Sequence, residues 1–408
     1  MKERKGFHYG WVIVACGILV MAVTHGVVAN CFSLYLRPVT EELGLSRQSF
    51  STCQMIVNLL YMGISLLSGK IYARVKPHTL MKVAAFTLPA GYFAYSLCST
   101  LPQFYAVSVV VGVSVAFLTF LPFTLILTDW FEQRRGLAIG LCFMGSGLGG
   151  MLFNSLAGQW VTTIGWRSTF TTLSIIMAAV LVPVIFLVLK PAPEAMGMEP
   201  YGGRSAGTQA GAVYGLSLKE ALHGRSFYLL VLLALMIGMT TTMLGNTIIP
   251  HLTDLGFDAG YASKVMSAYM GGLAVCKVLL GTVTDKLGAR KGTLLSLLAV
   301  LLGLVGLYFA QYQPSHVLIV IGAALGCASC TVSYPLLTRF AFGSAAYATL
   351  YGIINAANSL TTSLAPVVTN VLFDQTGSYN TALLGGLALC VVSLLLLPFL
   401  KGVKEPQA

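Results

Sequence analysis

Twelve apolar segments, each about as long as a membrane-spanning helix, follow one another along this chain of 408 residues. A helix rises about 1.5 Å per residue, so roughly 20 apolar residues cross the ~30 Å hydrocarbon core of a bilayer. Composition agrees, since 56% of the residues are hydrophobic, 9% are charged and the mean hydropathy is +0.82. The sequence therefore predicts an all-α, multi-pass membrane protein. The twelve predicted spans are 9–36, 47–73, 79–98, 104–128, 136–161, 166–189, 226–251, 260–285, 292–311, 316–341, 347–373 and 379–400.

The chain divides into two similar halves. A polar connection rich in proline and glycine separates the sixth span from the seventh. Glycines recur at a constant offset of 212 residues, in the pairs Gly69 and Gly281, Gly140 and Gly352, and Gly165 and Gly377. Such an offset indicates a parallel internal repeat, as in transporters built from two six-helix bundles with a site between them at mid-membrane depth. The predicted units are an N-terminal bundle, a cytoplasmic linker and a C-terminal bundle, at residues 1–189, 190–225 and 226–408.

The distribution of basic residues predicts the orientation in the membrane. With twelve spans both termini lie on one side, and of the 24 Lys and Arg residues nineteen fall on that side, four opposite and one inside a span. Basic loops mark the cytoplasmic side, so both termini are expected in the cytoplasm, with the spans in the cell inner membrane. The formal charge of +11 has the same origin, and no nucleic-acid partner is expected. Within the linker, Ser217 and Glu220 have the spacing of a capping box, which predicts a short helix.

Lys277 lies near the middle of the eighth predicted span. It is eight residues, roughly 12 Å, from the polar end of the span at Asp285, too far for its side chain to reach water comfortably. A lysine at a helix centre costs about 2.5–3.5 kcal/mol on insertion scales, so such residues usually face a cavity or a partner. Lys277 is therefore the predicted substrate-binding cation. The alternative is a structural lysine that bonds helix carbonyls.

Other polar residues also fall at mid-depth in the predicted spans. His25 and Lys277 are the groups there that can exchange a proton near neutral pH, so both are candidates for proton coupling, although a lone histidine often only bonds a neighbour. Tyr334 is the preferred neutral candidate for substrate binding, because Pro335 after it should disturb the helix and free backbone groups. The neutral candidates are Asn30, Thr119, Tyr334, Asn355 and Asn358, each equally able to serve as an interhelical hydrogen-bond partner.

The loop after the eighth span carries a specific motif. Residues 281–291, GTVTDKLGARK, resemble the cytoplasmic loop signature of the major facilitator superfamily. The resemblance implies the twelve-helix fold of that superfamily, and it assigns Asp285, Lys286 and Arg290 to a latch that gates alternating access. The corresponding first-half sequence has Ala73 where the acidic residue belongs.

A second motif lies at the start of the fifth span. The sequence WFEQRRGLAIG at residues 130–140, continuing to GSGLG at residues 145–149, is similar to a signature of the monocarboxylate transporter family. Arg134 and Arg135 anchor the cytoplasmic end of this helix and are assigned to gating. Gly140, Gly145 and Gly149 should let a neighbouring helix approach closely.

The same resemblance bears on the substrate. Lys277 takes the place of the carboxylate-binding arginine of that family, and the related oxalate/formate exchangers add a lysine in the eleventh span, where this chain has Asn358. One buried cation neutralises one carboxylate, whereas a dianion would leave a charge uncompensated at high desolvation cost. A monocarboxylate is therefore favoured over a dicarboxylate.

The main functional hypothesis is a proton-coupled symporter of a small monocarboxylate such as lactate or pyruvate. The alternatives are an exchanger of organic anions, and a membrane sensor that keeps a transporter fold without transport. The expected partners are a small organic anion, protons and the lipid bilayer, and the oligomeric state is left open. The sequence has no catalytic, nucleotide-binding or metal-binding constellation, so neither enzymatic activity nor a cofactor or metal is expected.

Overall fold

The structure of the protein is a computed structural model that describes residues 8–203 and 214–403. The chain forms two compact units. Among the described residues, the first unit comprises 8–54 and 75–203, and the second comprises 55–74 and 214–403. The segment Met55–Arg74 thus groups with the C-terminal half of the chain, although it belongs to the second predicted span.

Helices make up nearly all of the described chain, which confirms the all-α prediction. Residues 8–203 contain α1 (Gly10–Val23), α2 (His25–Val28), α3 (Ser33–Leu43), α4 (Arg47–Arg74), α5 (Pro77–Leu97), α6 (Leu101–Ala116), α7 (Phe120–Trp130), α8 (Arg135–Thr163) and α9 (Gly165–Pro183). Residues 214–403 contain α10 (Leu218–His223), α11 (Arg225–Asp254), α12 (Ala259–Leu287), α13 (Ala289–Tyr308), α14 (Ser315–Cys327), α15 (Ser329–Phe342), α16 (Tyr347–Thr376) and α17 (Asn380–Leu396), followed by a 3-10 turn at Leu397–Phe399.

Ten helical segments of the described chain are long and apolar enough to cross a membrane. They include Lys264–Leu287, which holds the buried lysine of the eighth span. The predicted spans 79–98 and 347–373 are less apolar, but both are continuous helices, α5 with 21 residues and α16 with 30. All twelve predicted spans are therefore helical.

The internal repeat is visible in the helix bounds. The first residues of α4 and α12 are 212 positions apart, and the same holds for α5 and α13 and for α8 and α16. The offset of 212 residues that relates three pairs of glycines therefore also relates the first residues of these three pairs of helices.

Three of the predicted spans, 9–36, 104–128 and 316–341, each contain a break between two helices. The first breaks at Thr24, the fourth between α6 and α7, and the tenth at Ala328 between α14 and α15. Irregular backbone at membrane depth is tolerated only where it is buried in protein or lines a cavity. Thr24 and Ala328 are both fully buried. The breaks at Thr24 and Ala328 have no proline within four residues, whereas Pro122 stands in the first turn of α7, directly after the break in the fourth span.

Pro335 does not interrupt its helix, contrary to the sequence prediction. α15 continues through it, and the interruption lies at Ala328 instead. The Pro335 carbonyl accepts a hydrogen bond of 3.1 Å from the Tyr347 hydroxyl. The carbonyl that Pro335 leaves without its usual N–H donor is that of Thr331, four residues earlier.

The connection between the two halves is attached at matching loops. The Tyr201 carbonyl accepts backbone N–H groups of Glu132 and Gln133 at 3.0 and 3.1 Å. The Tyr214 carbonyl accepts those of Ser344 and Ala345, exactly one repeat later in the chain, at 2.8 and 3.1 Å. Each half therefore binds one end of the connection through the same loop of its repeat.

The predicted capping box is confirmed. The Glu220 carboxylate accepts the Ser217 backbone N–H at 2.8 Å, and the Ser217 hydroxyl oxygen accepts the Glu220 N–H at 3.3 Å. Bonding to the Ser217 side chain and backbone lowers the pKa of Glu220. These contacts begin α10, the short helix expected before the seventh span.

Glycines bring α8 into close contact with the first span, as predicted for Gly145 and Gly149. A Cβ atom at Gly145 would overlap the Ile18 carbonyl, and one at Gly149 would overlap the Ala22 carbonyl. The packing of these helices thus requires residues without a side chain.

Candidate functional site

Lys277 lies on α12 with only 4% of its surface exposed. Among the side chains that the structure describes, it is the single buried Lys, Arg, Asp or Glu. The membrane-depth position predicted from the sequence is therefore also a buried position in the folded unit.

Two cysteines lie close enough to Lys277 to interact with it electrostatically. They are Cys327, the last residue of α14, and Cys330, in the first turn of α15, so they flank the break at Ala328. The Cys327 thiol also forms a hydrogen bond with the hydroxyl of Tyr269, which lies two turns before Lys277 on α12. Lys277 therefore lies near neutral polar groups on both sides of the helix break at Ala328.

The hydroxyl groups of Thr241 and Tyr334, which lie next to Cys330, donate hydrogen bonds to backbone carbonyls. Thr241 donates to the Ile237 carbonyl at 2.7 Å, so the contact of 3.0 Å between Thr241 Oγ1 and Cys330 Sγ has the thiol as its donor. The Tyr334 hydroxyl donates to the Ala234 carbonyl at 3.1 Å and lies 3.8 Å from Cys330 Sγ. Tyr334 would have to release this bond before donating to a carboxylate. In the observed arrangement it holds α15 against α11.

Asn358 lies on α16 and faces the same turn of α11. Within the described part of the chain, its buried Oδ1 has no hydrogen-bond partner. This oxygen lies 2.9 Å from the Cβ position of Gly238, three residues before Thr241. An acceptor oxygen in this place suits a ligand that carries a hydroxyl or N–H group.

Asn355 is buried and joins α16 to α4. Its amide nitrogen donates to Tyr61 Oη at 2.8 Å and to Ser65 Oγ at 3.1 Å. Next to it, a Cβ atom at Gly352 would overlap the Ser65 carbonyl and the Ser68 hydroxyl. Asn355 is therefore an interhelical partner in a tightly packed contact.

In the first unit, the candidates lie at the two helix breaks. His25 begins α2 directly after the Thr24 break, and its ring packs edge-on against Phe120 with centroids 4.8 Å apart. Phe120 begins α7 directly after Thr119, whose hydroxyl donates to the Val115 carbonyl at 2.9 Å. The contact between His25 and Phe120 thus brings the breaks in the first and fourth spans together.

Asn30 lies in the turn between α2 and α3. Its amide nitrogen donates to the Ser146 carbonyl on α8 at 3.2 Å, next to Gly150. This bond connects the irregular part of the first span to the glycine-rich helix. Like Asn355, Asn30 has an interhelical partner in the structure.

The predicted gating residues of the second half lie at the end of α12 and the start of α13. Asp285 and Lys286 are exposed in the last turn of α12, and Gly288 makes the turn with φ of 86°. The Arg290 guanidinium donates to the Pro398 carbonyl at 2.5 Å. It thereby attaches the start of α13 to the 3-10 turn after α17.

Arg134 and Arg135 stand at the start of α8. Arg134 has φ of 57° and is the one residue other than glycine with positive φ in the described chain. Such backbone costs of order 1–3 kcal/mol. Arg135 donates to the Phe131 carbonyl at 3.0 Å and pairs with Glu132 at 3.2 Å. Arg135 therefore helps to fix the loop that also binds Tyr201.

Sequence reasoning missed the groups around Lys277. It treated Cys327 and Cys330 as packing residues, and it did not single out Tyr269 or Thr241. The sequence around these residues does not predict the helix break at Ala328, because no proline stands there.

Comparisons with known proteins establish the family. The model of the major facilitator superfamily matches residues 14–244 and again residues 230–408. The chain belongs to the major facilitator superfamily. The two overlapping matches correspond to the two halves of the repeat, and the twelve-helix fold predicted from the sequence is confirmed.

Individual relatives are distant. The chain is 28% identical over 288 residues to the MFS-type transporter pytF of Aspergillus terreus, covering 68% of this chain and 90% of that protein. It is 22% identical to the oxalate:formate antiporter of Oxalobacter formigenes, covering 86% and 81% of the two chains. The crystal structure of the transporter FucP in the outward conformation superposes with a TM-score of 0.74 at 13% identity, covering 97% of this chain and all of that one. This last likeness concerns the fold alone.

Proposed function

We propose that this superfamily member is a secondary active transporter that carries small monocarboxylates, such as lactate or pyruvate, together with protons. The observation that carries the proposal is Lys277, the single buried Lys, Arg, Asp or Glu among the described side chains. Its ammonium group would bind the substrate carboxylate. Tyr269, Cys327 and Cys330 would surround the pair with neutral groups.

The charge of the site supports a monoanion. One lysine compensates one carboxylate, and a second carboxylate buried there would have no cation among the described neighbours of Lys277. The acceptor oxygen of Asn358 would suit a substrate hydroxyl, such as that of a 2-hydroxy acid. The motif at residues 130–149 supports placing the chain with the monocarboxylate transporter family, whereas the motif at residues 281–291 supports the superfamily as a whole.

The proposal includes a membrane arrangement. Bundles at residues 1–189 and 226–408, joined by the linker 190–225, would alternate access to the site, with both termini in the cytoplasm and the spans in the cell inner membrane. Asp285, Lys286, Arg290, Arg134 and Arg135 lie at helix ends and would gate this exchange.

The second candidate function is exchange of organic anions without net proton movement. The observation that favours it is the similarity to the oxalate:formate antiporter, which extends over 86% of this chain. In both functions Lys277 binds the substrate anion. The functions differ in the driving force for anion uptake, which is the proton gradient in symport and a second anion in exchange.

Uptake into proteoliposomes tests both functions. Labelled lactate, pyruvate, formate and oxalate would be supplied outside vesicles with and without an inward proton gradient, and with and without unlabelled anion inside. Symport predicts accumulation that follows the pH gradient in empty vesicles. Exchange predicts uptake only into anion-loaded vesicles, and no uptake of any of these anions would contradict both.

Replacement of His25 tests how protons are coupled. If a proton and a monoanion move together, no net charge crosses, and transport should ignore the membrane potential, which acts at about 2.3 kcal/mol per charge and 100 mV. His25→Gln keeps hydrogen bonding but cannot titrate. It should abolish pH-driven accumulation and preserve anion exchange if His25 carries the proton, and change little if Lys277 does. Accumulation driven by potential at uniform pH would refute both routes.

A further inference from the structure

We propose that the second unit also binds a phospholipid with an anionic headgroup, at the end where α12, α13, α15 and the 3-10 turn Leu397–Phe399 meet. A cavity of about 430 Å³ lies there. Its wall combines two basic side chains, Arg290 and Lys291, with apolar ones. None of the residues around Lys277 contributes to it.

The basic side chains select for an anion. Arg290 uses one donor on the Pro398 carbonyl, and a guanidinium has five N–H donors in all. Lys291 is the next residue and is exposed. The described residues that line the cavity include no Asp or Glu. Basic pockets of this kind between membrane helices, on the cytoplasmic side, suit anionic lipid headgroups.

The apolar side chains select for a ligand with a hydrocarbon tail. Leu294 lines the cavity and is 39% exposed, and Leu298 and Leu302 follow it at intervals of one turn along α13 with exposures of 43% and 48%. Leu287, at the end of α12, also lines the cavity and is 54% exposed. These leucines form an apolar track from the basic rim towards the middle of the span. A small water-soluble anion would leave this track unused, whereas an acyl chain would cover it.

The test is a lipid titration of purified protein in a neutral detergent, with thermal stability as the readout. The ligands are phosphatidylglycerol, which is anionic, phosphatidylcholine, which has no net charge, and glycerol phosphate, which has the anion without the tails. A ligand that binds only the folded protein stabilises it by RT ln(1 + [L]/Kd), so its melting temperature rises with the ligand concentration. The expected order is strong stabilisation by phosphatidylglycerol and little by the other two.

Two variants locate the site. Each basic residue near a membrane surface contributes ~1 kcal/mol to anionic lipid binding, so Arg290→Gln with Lys291→Gln should weaken phosphatidylglycerol binding roughly thirtyfold. The control is Lys70→Gln with Arg74→Gln, which removes the same two charge types from the exposed end of α4. It should change binding less than about twofold.

Three outcomes would overturn the proposal. If the control variant lost as much phosphatidylglycerol binding as the variant at Arg290 and Lys291, the lipid would be attracted by surface charge in general. If phosphatidylcholine bound as well as phosphatidylglycerol, the anionic headgroup would not be recognised. Equal stabilisation by glycerol phosphate would show a site for a soluble anion. Leu294→Trp, which fills the apolar wall without changing charge, should weaken the lipid and leave glycerol phosphate unaffected, so the result does not depend on the folding of the charge variants.

Discussion

Helices α4 and α12 occupy the same place in the two halves of the repeat but carry different chemistry. They begin 212 residues apart and have 28 and 29 residues. At the equivalent mid-helix positions, α4 has Ser65 and α12 has Lys277, and both are buried, with exposures of 3% and 4%.

The surroundings of the two positions differ. Ser65 Oγ accepts the Asn355 amide, and the Ser65 carbonyl lies where a Cβ atom at Gly352 would overlap it. Lys277 instead lies close enough to two thiols that flank a helix break to interact with them electrostatically. The repeat therefore preserves where these helices begin, while the neighbours of equivalent positions differ between the halves.

Removing the cation should have the largest effect. Lys277→Ala should lower anion uptake at least about 100-fold, because loss of one partner of a buried charge pair costs about 3–5 kcal/mol. Lys277→Arg should keep partial activity. Ser65→Ala is the matched control and should stay within a few-fold of the wild type. Initial uptake rates in proteoliposomes with equal protein content measure this, and wild-type uptake by the alanine variant would disprove the role of Lys277.

The next largest effect should be on stability, when a side chain is added at the close contact between α4 and α16. A Cβ atom at Gly352 overlaps backbone and side-chain oxygens of α4, so Gly352→Ala should destabilise the protein by about 1–3 kcal/mol. Gly271 in α12 has open space at its Cβ position, and Gly271→Ala should be neutral or stabilising by about 0.5–1 kcal/mol. Melting temperatures in one detergent compare the two. Shifts of the same sign would mean that the α4 and α16 contact is looser than the structure has it.

The ends of α12 allow a similar contrast for gating. Asp285→Asn should slow turnover about tenfold, corresponding to ~1.4 kcal/mol, and leave substrate affinity nearly unchanged, since the residue is exposed in the last turn of α12. Asp258→Asn changes the same chemistry at the other end of the helix, where Asn remains a good N-cap for the Tyr261 N–H. Turnover in vesicles and substrate affinity in detergent are the measurements. An equal loss in both for Asp285→Asn would contradict a purely gating role.

The smallest expected effect concerns Asn355. Interhelical hydrogen bonds in membranes average about 0.6 kcal/mol, so Asn355→Ala should lower stability by ~1 kcal/mol through its bonds to Tyr61 and Ser65. A double-mutant cycle with Ser65→Ala isolates the second bond. A drop in uptake without a change in melting temperature would instead assign Asn355 to the substrate.

The sequence by itself determined the helical architecture. Apolar runs must form helices in a bilayer, because no water there can satisfy a free backbone, and the glycine offset and the motif at residues 281–291 identified the repeat and the superfamily. It also determined that Lys277 is exceptional, because a charge near the centre of an apolar span is costly and its position along the span can be read from the sequence.

Tertiary structure decided which polar residues meet. Tyr334 and Asn355 looked alike in sequence as donors at mid-depth, yet one bonds Ala234 on α11 and the other bonds α4. The break at Ala328 separates Cys327 from Cys330, the two cysteines that lie close enough to Lys277 for an electrostatic interaction. Such contacts depend on helix rotation and on how closely neighbouring backbones approach. These are properties of pairs of helices, which the pattern within one span does not encode.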